Sequence, residues 1–248
     1  MKKVAIIPAR YASTRFPGKP LIRIDGVTMI ERVYRQASQA RSLDEVIVAT
    51  DDERIFDTVK AFGGNVVMTR NDHHSGTDRL AEVAANRPDI DIIVNVQGDE
   101  PVIDPVAIDN AVKPLLGDNS VQMSTIAAPI TESHEIESPD VVKVVFDLNH
   151  DALYFSRSPI PYYREKLIAP REYFAHVGLY VYRRECLLKL ATLAPTPLEQ
   201  AESLEQLRAL ENGIRIKVVP GNYRPIAVDK PADVANVERH LSSLASRS

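Results

Sequence analysis

A loop rich in cations follows the first apolar run of the chain. The segment ARYASTRFPGKP, residues 9–20, places Arg10, Arg15 and Lys19 within ten positions and interleaves them with hydroxyl groups and Gly18. Arginine presents a planar fork to phosphate oxygens and lysine adds a compact charge, so together they can neutralise a triphosphate. A solvated basic loop is the alternative, but hydroxyls and a glycine allow the backbone to approach an anion closely. The segment therefore predicts a phosphate-binding loop, without the Walker or GxGxxG patterns.

Adjacent carboxylates stand at the end of another apolar run. In NVQGDEP, residues 95–101, Gly98 is followed by Asp99 and Glu100. Carboxylate oxygens at a strand end suit magnesium, which takes one or two protein carboxylates and completes its octahedral shell with water and phosphate oxygens. An ordinary acidic turn is the competing interpretation. The cationic loop predicted to bind phosphate favours a metal site instead. Asp229 in PIAVDKP could complete the site, although spacing alone does not pair it with Asp99.

A helix start with two hydroxyls lies between these segments. HSGTDRL, residues 74–80, offers Ser75 or Thr77 as the N-cap and places Asp78 in the first turn, where a carboxylate is favoured. A helix N-terminus beside Arg79 can also face a base or a phosphate. We expect capping and ligand binding to coexist here.

The later part of the chain carries further cations and an aromatic face. Arg157, Arg164 and Arg171 lie in or after the proline-bearing segment SRSPIPYY. His176 and Tyr180 are four positions apart in a predicted strand, so their side chains share a face. A substrate with a carboxylate would suit this set. Packing is the alternative role for the aromatic residues, and it is preferred for Tyr182.

The composition limits what the chain can bind. Its 248 residues are 44% hydrophobic, enough for a buried core, and a formal net charge of -4 predicts no nucleic-acid or membrane partner. The single cysteine, Cys186, excludes an internal disulfide and a Cys-only zinc site. The apolar run Val4–Ile7 stops at Pro8 and is too short for a signal peptide or a membrane span, so we expect a cytoplasmic protein. His73 and His74 have poor geometry for a shared metal site and are predicted to lie on the surface.

Short β-branched runs alternate with helical patterns in the first half of the chain. The predicted strands are KVAIIP, EVIVAT, NVVMT and DIIVNVQ, and the predicted helices between them are Met29–Ala40 and Ile55–Phe62. Runs that are apolar throughout are typical of strands covered on both faces. This alternation predicts a parallel α/β sheet with ligands beyond the carboxyl ends of its strands.

From about Gln122 onward, strand-like runs follow one another closely and predict a mixed sheet with an extended arm. The predicted elements are the strands QMSTIAAPI, VVKVVFD, ALYFS and AHVGLYVYRR, the helices Glu185–Leu193 and Leu198–Leu210, the strand IKVVP and the helix Pro231–Leu244. Asn212-Gly213 is expected to end the helix before it.

The ordered motifs together resemble the 3-deoxy-manno-octulosonate cytidylyltransferase family. The matching signatures cover nearly the whole chain and are IPARYASTRFPGKPL, VATDDERI, HHSGTDRL, NVQGDEP, ALYFSRSPIP, HVGLYVYR and ESLEQLR. The resemblance implies a nucleotide-diphospho-sugar transferase type of α/β fold, with a mixed, mostly parallel sheet flanked by helices. It implies one domain over residues 1–248, with a dimerisation and sugar-binding arm around 150–182. The implied enzyme transfers CMP from CTP to an acidic eight-carbon sugar for lipopolysaccharide biosynthesis, releases pyrophosphate and forms a homodimer.

The resemblance also implies roles for individual residues. The catalytic set is Lys19, Arg15, Asp99 and Asp229, the last two as ligands of Mg²⁺. The residues that bind the nucleotide are Arg10, Ser13, Arg15, Lys19, Ser75, Gly76 and Arg79. The residues that contact the sugar are Gln97, Arg157, Arg164, His176, Tyr180, Glu205 and Gln206.

The chain departs from the family pattern near the last of these carboxylates. Many members have Gly-Val-Asp-Thr where this sequence has Ala227, Val228, Asp229 and Lys230. The change adds a cation and removes a glycine. Two sugar substrates are therefore kept as alternatives, the plain sugar and its 8-amino-3,8-dideoxy analogue. A metal-dependent glycosyltransferase and a non-catalytic nucleotide sensor are more distant alternatives. The first would not release pyrophosphate from CTP, and the second would not need two metal carboxylates.

Overall fold

The chain forms two compact units. The structure, a computed structural model, describes residues 1–12, 16–73, 75–165 and 172–245. The first unit is Met1–Asp109 with Pro225–Ser248, and the second is Asn110–Arg224. Among the helices of the described residues, none combines the length and apolar character needed to span a bilayer.

A parallel sheet forms the centre of the first unit. The strands of this unit are β1 Lys3–Ala9, β2 Arg23–Ile24, β3 Val27–Thr28, β4 Glu45–Thr50, β5 Val66–Met68 and β6 Ile92–Asn95. Four of them pair in parallel in the order β6–β1–β4–β5, while β2 and β3 form a small antiparallel hairpin. Every side chain from Val4 to Ile7 is fully buried. The four apolar runs predicted as strands are therefore confirmed, and the central strand is covered on both faces.

The second unit contains a mixed sheet. Its strands are β7 Met123–Pro129, β8 Lys143–Phe146, β9 Ala152–Ser156, β10 Phe174–Arg183 and β11 Ile216–Pro220. Strand β7 pairs antiparallel with β10 and parallel with β11, and β8 pairs antiparallel with β9 and β10. A bulge in β10 separates Val177 from Tyr180. Because His176 lies opposite Ala127 and Tyr180 opposite Thr125, two positions apart on β7, both side chains remain on one face.

Nine α-helices lie within the described residues. They are α1 Met29–Ala37, α2 Glu53–Ala61, α3 Gly76–Asn86, α4 Pro105–Gly117, α5 Ser133–Glu137, α6 Arg184–Thr192, α7 Pro197–Glu202, α8 Gln206–Glu211 and α9 Val234–Ala245. Short 3₁₀ turns cover Lys19–Leu21 and Pro231–Asp233. Gly213 has a positive φ of 71° directly after the cap of α8, as the Asn-Gly pair predicts.

One stretch that was predicted as a single helix forms two helices. The stretch Leu198–Leu210 is divided between α7 and α8, because Ser203 adopts a left-handed φ of 52° that a continuous helix cannot contain. The predicted last helix begins with a 3₁₀ turn at Pro231 and becomes α-helical only at Val234. Helix α4 was not predicted, and Pro114 inside it interrupts the helical pattern of the sequence.

Candidate active site

A cavity of about 250 Å³ opens where β1 and β6 end in the first unit. Ten of the predicted site residues belong to this unit, and eight of them line the cavity. They are Arg10, Lys19, Ser75, Gly76, Arg79, Gln97, Asp99 and Asp229. The other two, Ser13 and Arg15, lie outside the described residues. The carboxyl ends of parallel strands therefore hold the predicted site, as expected for an open α/β sheet.

Lys19 brings two distant carboxylates together. Its Nζ lies 2.7 Å from Asp99 Oδ2 and 3.5 Å from Asp229 Oδ1. The backbone N–H of Val228 donates to the carbonyl of Asp99 at 2.9 Å and ties the two segments to each other. The pairing of Asp99 with Asp229, which their spacing in the sequence does not reveal, thus exists in the folded chain.

The two carboxylates fit a divalent metal shared with a substrate. Magnesium usually takes one or two protein carboxylates and fills its remaining positions with water and phosphate oxygens. Within the described residues, no three His, Cys, Asp or Glu side chains are grouped to enclose an ion by themselves. Glu100, the neighbour of Asp99 in the sequence, is buried with only 5% of its surface exposed. The pair of carboxylates that lines the cavity is therefore Asp99 with Asp229 rather than Asp99 with Glu100.

Two glycines shape the loops that carry these groups. A Cβ on Gly98 would lie 2.9 Å from the carbonyl oxygen of Pro8, closer than a real Cβ comes to backbone. Only glycine lets the segment that holds Asp99 approach the end of β1 this closely. Gly18 has a φ of 72° immediately before the 3₁₀ turn that begins at Lys19. Asp99 and Lys19, which both line the cavity, thus each follow a glycine that the local backbone conformation requires.

The start of α3 combines capping with cavity lining. The hydroxyl of Ser75 accepts a hydrogen bond from the N–H of Asp78, and the carboxylate of Asp78 accepts one from the N–H of Ser75, both at 3.1 Å. Ser75 is therefore the N-cap, as one of the two predicted possibilities. Arg79 is 4% exposed, with Nη2 3.1 Å from Asp51 Oδ2 and Nη1 donating to the hydroxyl of Thr69. Its guanidinium is fixed before any ligand arrives.

His73 contradicts its predicted place on the surface. Its side chain is 4% exposed, lines the cavity, and pairs through Nε2 with a carboxylate oxygen of Glu82. Burial acts to raise the pKa of Glu82, but the hydrogen bonds from His73 and from the backbone of Arg70 hold that pKa below its usual value. His74 lies outside the described residues. No periodic signal in the sequence predicts that His73 is buried.

In the second unit, three aromatic side chains form a row along β10. The ring centroids of His176 and Tyr180 are 5.2 Å apart, and those of Tyr180 and Tyr182 are 6.0 Å apart. Tyr182 is 2% exposed, so its predicted packing role is confirmed. The other two rings remain partly exposed. Tyr182 is therefore a packing residue, whereas His176 and Tyr180 keep some accessible surface.

Burial keeps the polar groups of this row neutral. It lowers the pKa of His176 to about 3, and the imidazole Nε2 lies 3.1 Å from the hydroxyl of Thr125. Burial also raises the pKa of Tyr180 well above its usual 10, and the negative charge of Glu205 adds to this effect. The row therefore offers neutral hydrogen-bonding groups at physiological pH.

Gln206 has a buried amide with a free donor. The residue is 6% exposed, and its Nε2 has no hydrogen-bond partner among the described residues. An unsatisfied buried donor costs about 1–3 kcal/mol, so such groups usually meet water or a ligand. Glu205 precedes it, with Oε1 3.8 Å from Nη2 of Arg208. This geometry favours a binding role that the acidic helix pattern did not indicate.

The two predicted sugar-binding arginines differ in their surroundings. The Arg157 guanidinium donates to the main-chain carbonyls of Glu202 at 2.7 Å, Pro139 at 2.8 Å and Ser203 at 3.4 Å. These three contacts use three of its five N–H groups. Arg164 is exposed and stands just before residues that the structure does not describe.

The sequence pattern that defines the cytidylyltransferases matches residues 4–216 of the chain. The chain belongs to the cytidylyltransferase family. A 3-deoxy-manno-octulosonate cytidylyltransferase from Geobacter metallireducens is 56% identical and covers 98% of both chains. Another from Myxococcus xanthus is 57% identical over 96% of this chain and 95% of the relative. The resemblance drawn from the motifs is confirmed, and the protein is a nucleotidyltransferase.

Solved structures of cytidylyltransferases and related enzymes have the same fold. The chain is similar to a CMP:2-keto-3-deoxy-manno-octonic acid synthetase complexed with CTP, with a TM-score of 0.93, 45% identity and coverage of 98% of this chain and 99% of the other. It also aligns with a 4-diphosphocytidyl-2C-methyl-D-erythritol synthase from Anaerococcus prevotii at a TM-score of 0.61 and 16% identity, over 97% and 96% of the two chains, which bears on the fold alone. The expected fold class is confirmed. Cytidylyltransferases of this kind generally use a divalent metal ion.

Proposed function

We propose that this family member transfers CMP from CTP to 3-deoxy-D-manno-octulosonate, releases pyrophosphate and supplies an activated sugar for lipopolysaccharide biosynthesis. The observation that carries the proposal is the convergence of Asp99 and Asp229 on Lys19 in a cavity at the strand ends. Two carboxylates and a lysine beside further cations suit a metal-bound triphosphate. The relatives that share more than half of the sequence carry the name of this reaction.

The protein's part in the reaction is alignment and charge stabilisation. The anomeric hydroxyl of the sugar attacks the α-phosphorus of CTP in line, the new oxygen–phosphorus bond forms, and the bond from that phosphorus to the pyrophosphate oxygen breaks. The hydroxyl proton passes to solvent. Lys19 and Arg15 stabilise charge on the α-phosphate and the departing pyrophosphate, while Arg10 and Ser13 hold the remaining phosphates. Removing one well-placed donor of this kind typically lowers the rate about 100- to 1000-fold.

The carboxylates act as ligands rather than as bases. Asp99 and Asp229 would hold Mg²⁺, which supplies orientation of the triphosphate and neutralisation of its charge when bound. Ser75, Gly76 and Arg79 serve the nucleotide from the start of α3. The fixed guanidinium of Arg79 supports this role, because a pre-positioned group loses little freedom on binding.

The second unit supplies neutral groups suited to a hydroxyl-rich sugar. The partly exposed His176 and Tyr180 can donate and accept without adding charge, and the free Nε2 of Gln206 can donate to a sugar oxygen. The other sugar contacts taken from the family resemblance, which remain predictions, are Gln97, Arg157, Arg164 and Glu205. Arg157 keeps one unused N–H group on each of its two terminal nitrogens, and these two groups remain suited to an acidic substrate.

We further propose that residues 1–248 act as one catalytic domain and that the chain forms a homodimer through the arm around 150–182. Large apolar side chains near that segment support the dimer: Leu148 is fully exposed, Leu153 is 62% exposed and Tyr162 is 87% exposed. A cytoplasmic location follows from the use of CTP, and we expect no nucleic-acid or membrane partner. Light scattering of the purified protein would test the dimer, which a monomer mass at micromolar concentration would contradict.

The deciding experiment measures magnesium-dependent pyrophosphate release from CTP with the plain sugar, with its 8-amino-3,8-dideoxy analogue and with no sugar. Release with the plain sugar supports the proposal, release only with the amino sugar transfers it to that substrate, and no release contradicts both. Asp99→Asn should abolish turnover. Asp57→Asn, which removes an exposed carboxylate on α2 of the same unit, is the matched control.

A further inference from the structure

Two adjacent aspartates after β4 have no role in the proposed reaction. They belong to the motif VATDDERI, residues 48–55. Asp51 pairs with the buried Arg79. Asp52 caps α2 by accepting from the N–H of Arg54 at 3.0 Å, and its carboxylate also accepts from Nε at 2.9 Å and Nη2 at 2.6 Å of the same arginine. Asp52 therefore holds the Arg54 guanidinium in one orientation.

The guanidinium held in this way covers an aromatic ring next to the phosphate-binding segment. The Cζ of Arg54 lies 3.3 Å from the ring centroid of Tyr11. The carbonyl of Tyr11 accepts from the N–H of Gly18 at 3.0 Å, and a Cβ on Gly18 would lie 3.2 Å from the Tyr11 ring. Tyr11 thus contacts α2 on one side and Gly18 on the other. Its chain neighbour is Arg10, and the chain neighbour of Gly18 is Lys19, both of which line the cavity.

We propose that Arg54, oriented by Asp52, is a positioning residue that acts through Tyr11 to hold Arg10 and Lys19 in their CTP-binding arrangement. The inference rests on the proposed function, because it assigns these two cations to the triphosphate. A cation stacked on an aromatic face contributes a modest attraction. Here that attraction restrains the contact between Tyr11 and Gly18. Its loss should therefore reduce the pre-organisation of the phosphate site and weaken CTP binding, without changing the binding of the sugar.

The first test compares Arg54→Ala with a matched control on the same helix. Lys60 also places an exposed cation over a ring of α2, with Nζ 5.7 Å from the Phe56 centroid, and it does not line the cavity. Arg54→Ala should raise the Kd and the KM for CTP about 3- to 20-fold and leave the KM for the sugar unchanged. Lys60→Ala should leave all three constants at their wild-type values. CTP binding is measured by calorimetry, and the KM values by pyrophosphate release.

A double-mutant cycle separates positioning from direct contact with phosphate. If Arg54 acts through the ring, Tyr11→Leu should weaken CTP binding to the same extent, and the double variant should be no weaker than either single variant. Tyr11→Phe keeps the ring face and should bind CTP more tightly than Tyr11→Leu. If Arg54 instead contacts the triphosphate itself, the two losses multiply, and that result overturns the proposal.

Two further outcomes also count against it. An unchanged Kd for CTP in Arg54→Ala overturns the inference, and so does an equal rise in the KM values for CTP and sugar, which would indicate general damage. Failure of the wild-type protein to release pyrophosphate would instead refute the proposed function. The calorimetric measurement of CTP binding distinguishes these failures, because it needs no turnover.

Discussion

Acid should destabilise the protein through His176. Burial lowers the pKa of this imidazole to about 3, against 6.5 for the unperturbed group. As the pH falls through 6.5, the unfolded chain binds a proton at this position while the folded protein does not, so the stability present above pH 6.5 is lost progressively towards pH 3. Between pH 7 and pH 5 this linkage removes about 2 kcal/mol from the free energy of unfolding. The result depends mainly on the unfolded chain, because any folded-state pKa below about 4 leaves less than about a tenth of the native imidazole protonated at pH 5.

The measurement is urea unfolding of the wild type and of His176→Gln at both pH values. Other titrating groups are common to both proteins and cancel in the comparison, so the difference in unfolding free energy should move by about 2 kcal/mol in favour of the variant at pH 5. His134→Gln removes an exposed histidine and should keep the wild-type pH dependence. Parallel curves for the wild type and His176→Gln would refute the reasoning, since they would mean that the native imidazole titrates as it does in the unfolded chain.

Three further changes test other parts of the structure. Gly98→Ala forces a Cβ to within 2.9 Å of the Pro8 carbonyl and should cost about 1–3 kcal/mol of stability together with most of the activity, whereas Gly117→Ala meets no atom within 4 Å and should be harmless in both assays. Lys143→Met removes a fully buried ammonium that donates to three main-chain carbonyls and should lower the urea-derived stability by about 3–5 kcal/mol; a loss below 1 kcal/mol would contradict this. Burial raises the pKa of Cys186 to about 11 from 9.0, so its thiol should react with a disulfide reagent at least about 100-fold more slowly in the native protein than in denaturant.

The strands were predictable because burial on both faces leaves an unmistakable apolar run. Val4 to Ile7 illustrates this, with four consecutive side chains that are fully buried in the centre of a parallel sheet. Helix continuity was less predictable. Ser203 divides α7 from α8 with a positive φ, and serine carries none of the signal that a glycine would have given at such a position.

Within the candidate site, residue types were predictable and their partners were not. Asp99 and Asp229 are separated by most of the chain, so only folding could bring both to Lys19. His73 is enclosed against Glu82, although the HisHis doublet gives no periodicity from which burial could be inferred.

Arg157 shows most clearly why a role carried over from a family needs geometry beside it. An arginine that binds a substrate carboxylate and one that binds main-chain carbonyls are identical in sequence, because the guanidinium offers the same five donors to both. Here three of those donors meet the carbonyls of Pro139, Glu202 and Ser203, and the last two of these residues lie just before the proposed sugar contact Gln206. Removing Arg157 would therefore disturb this turn even if the side chain never touched the sugar. Weaker sugar binding in such a variant would not by itself identify Arg157 as a sugar ligand. A lower free energy of unfolding in the absence of substrate would show that Arg157 also has a structural role.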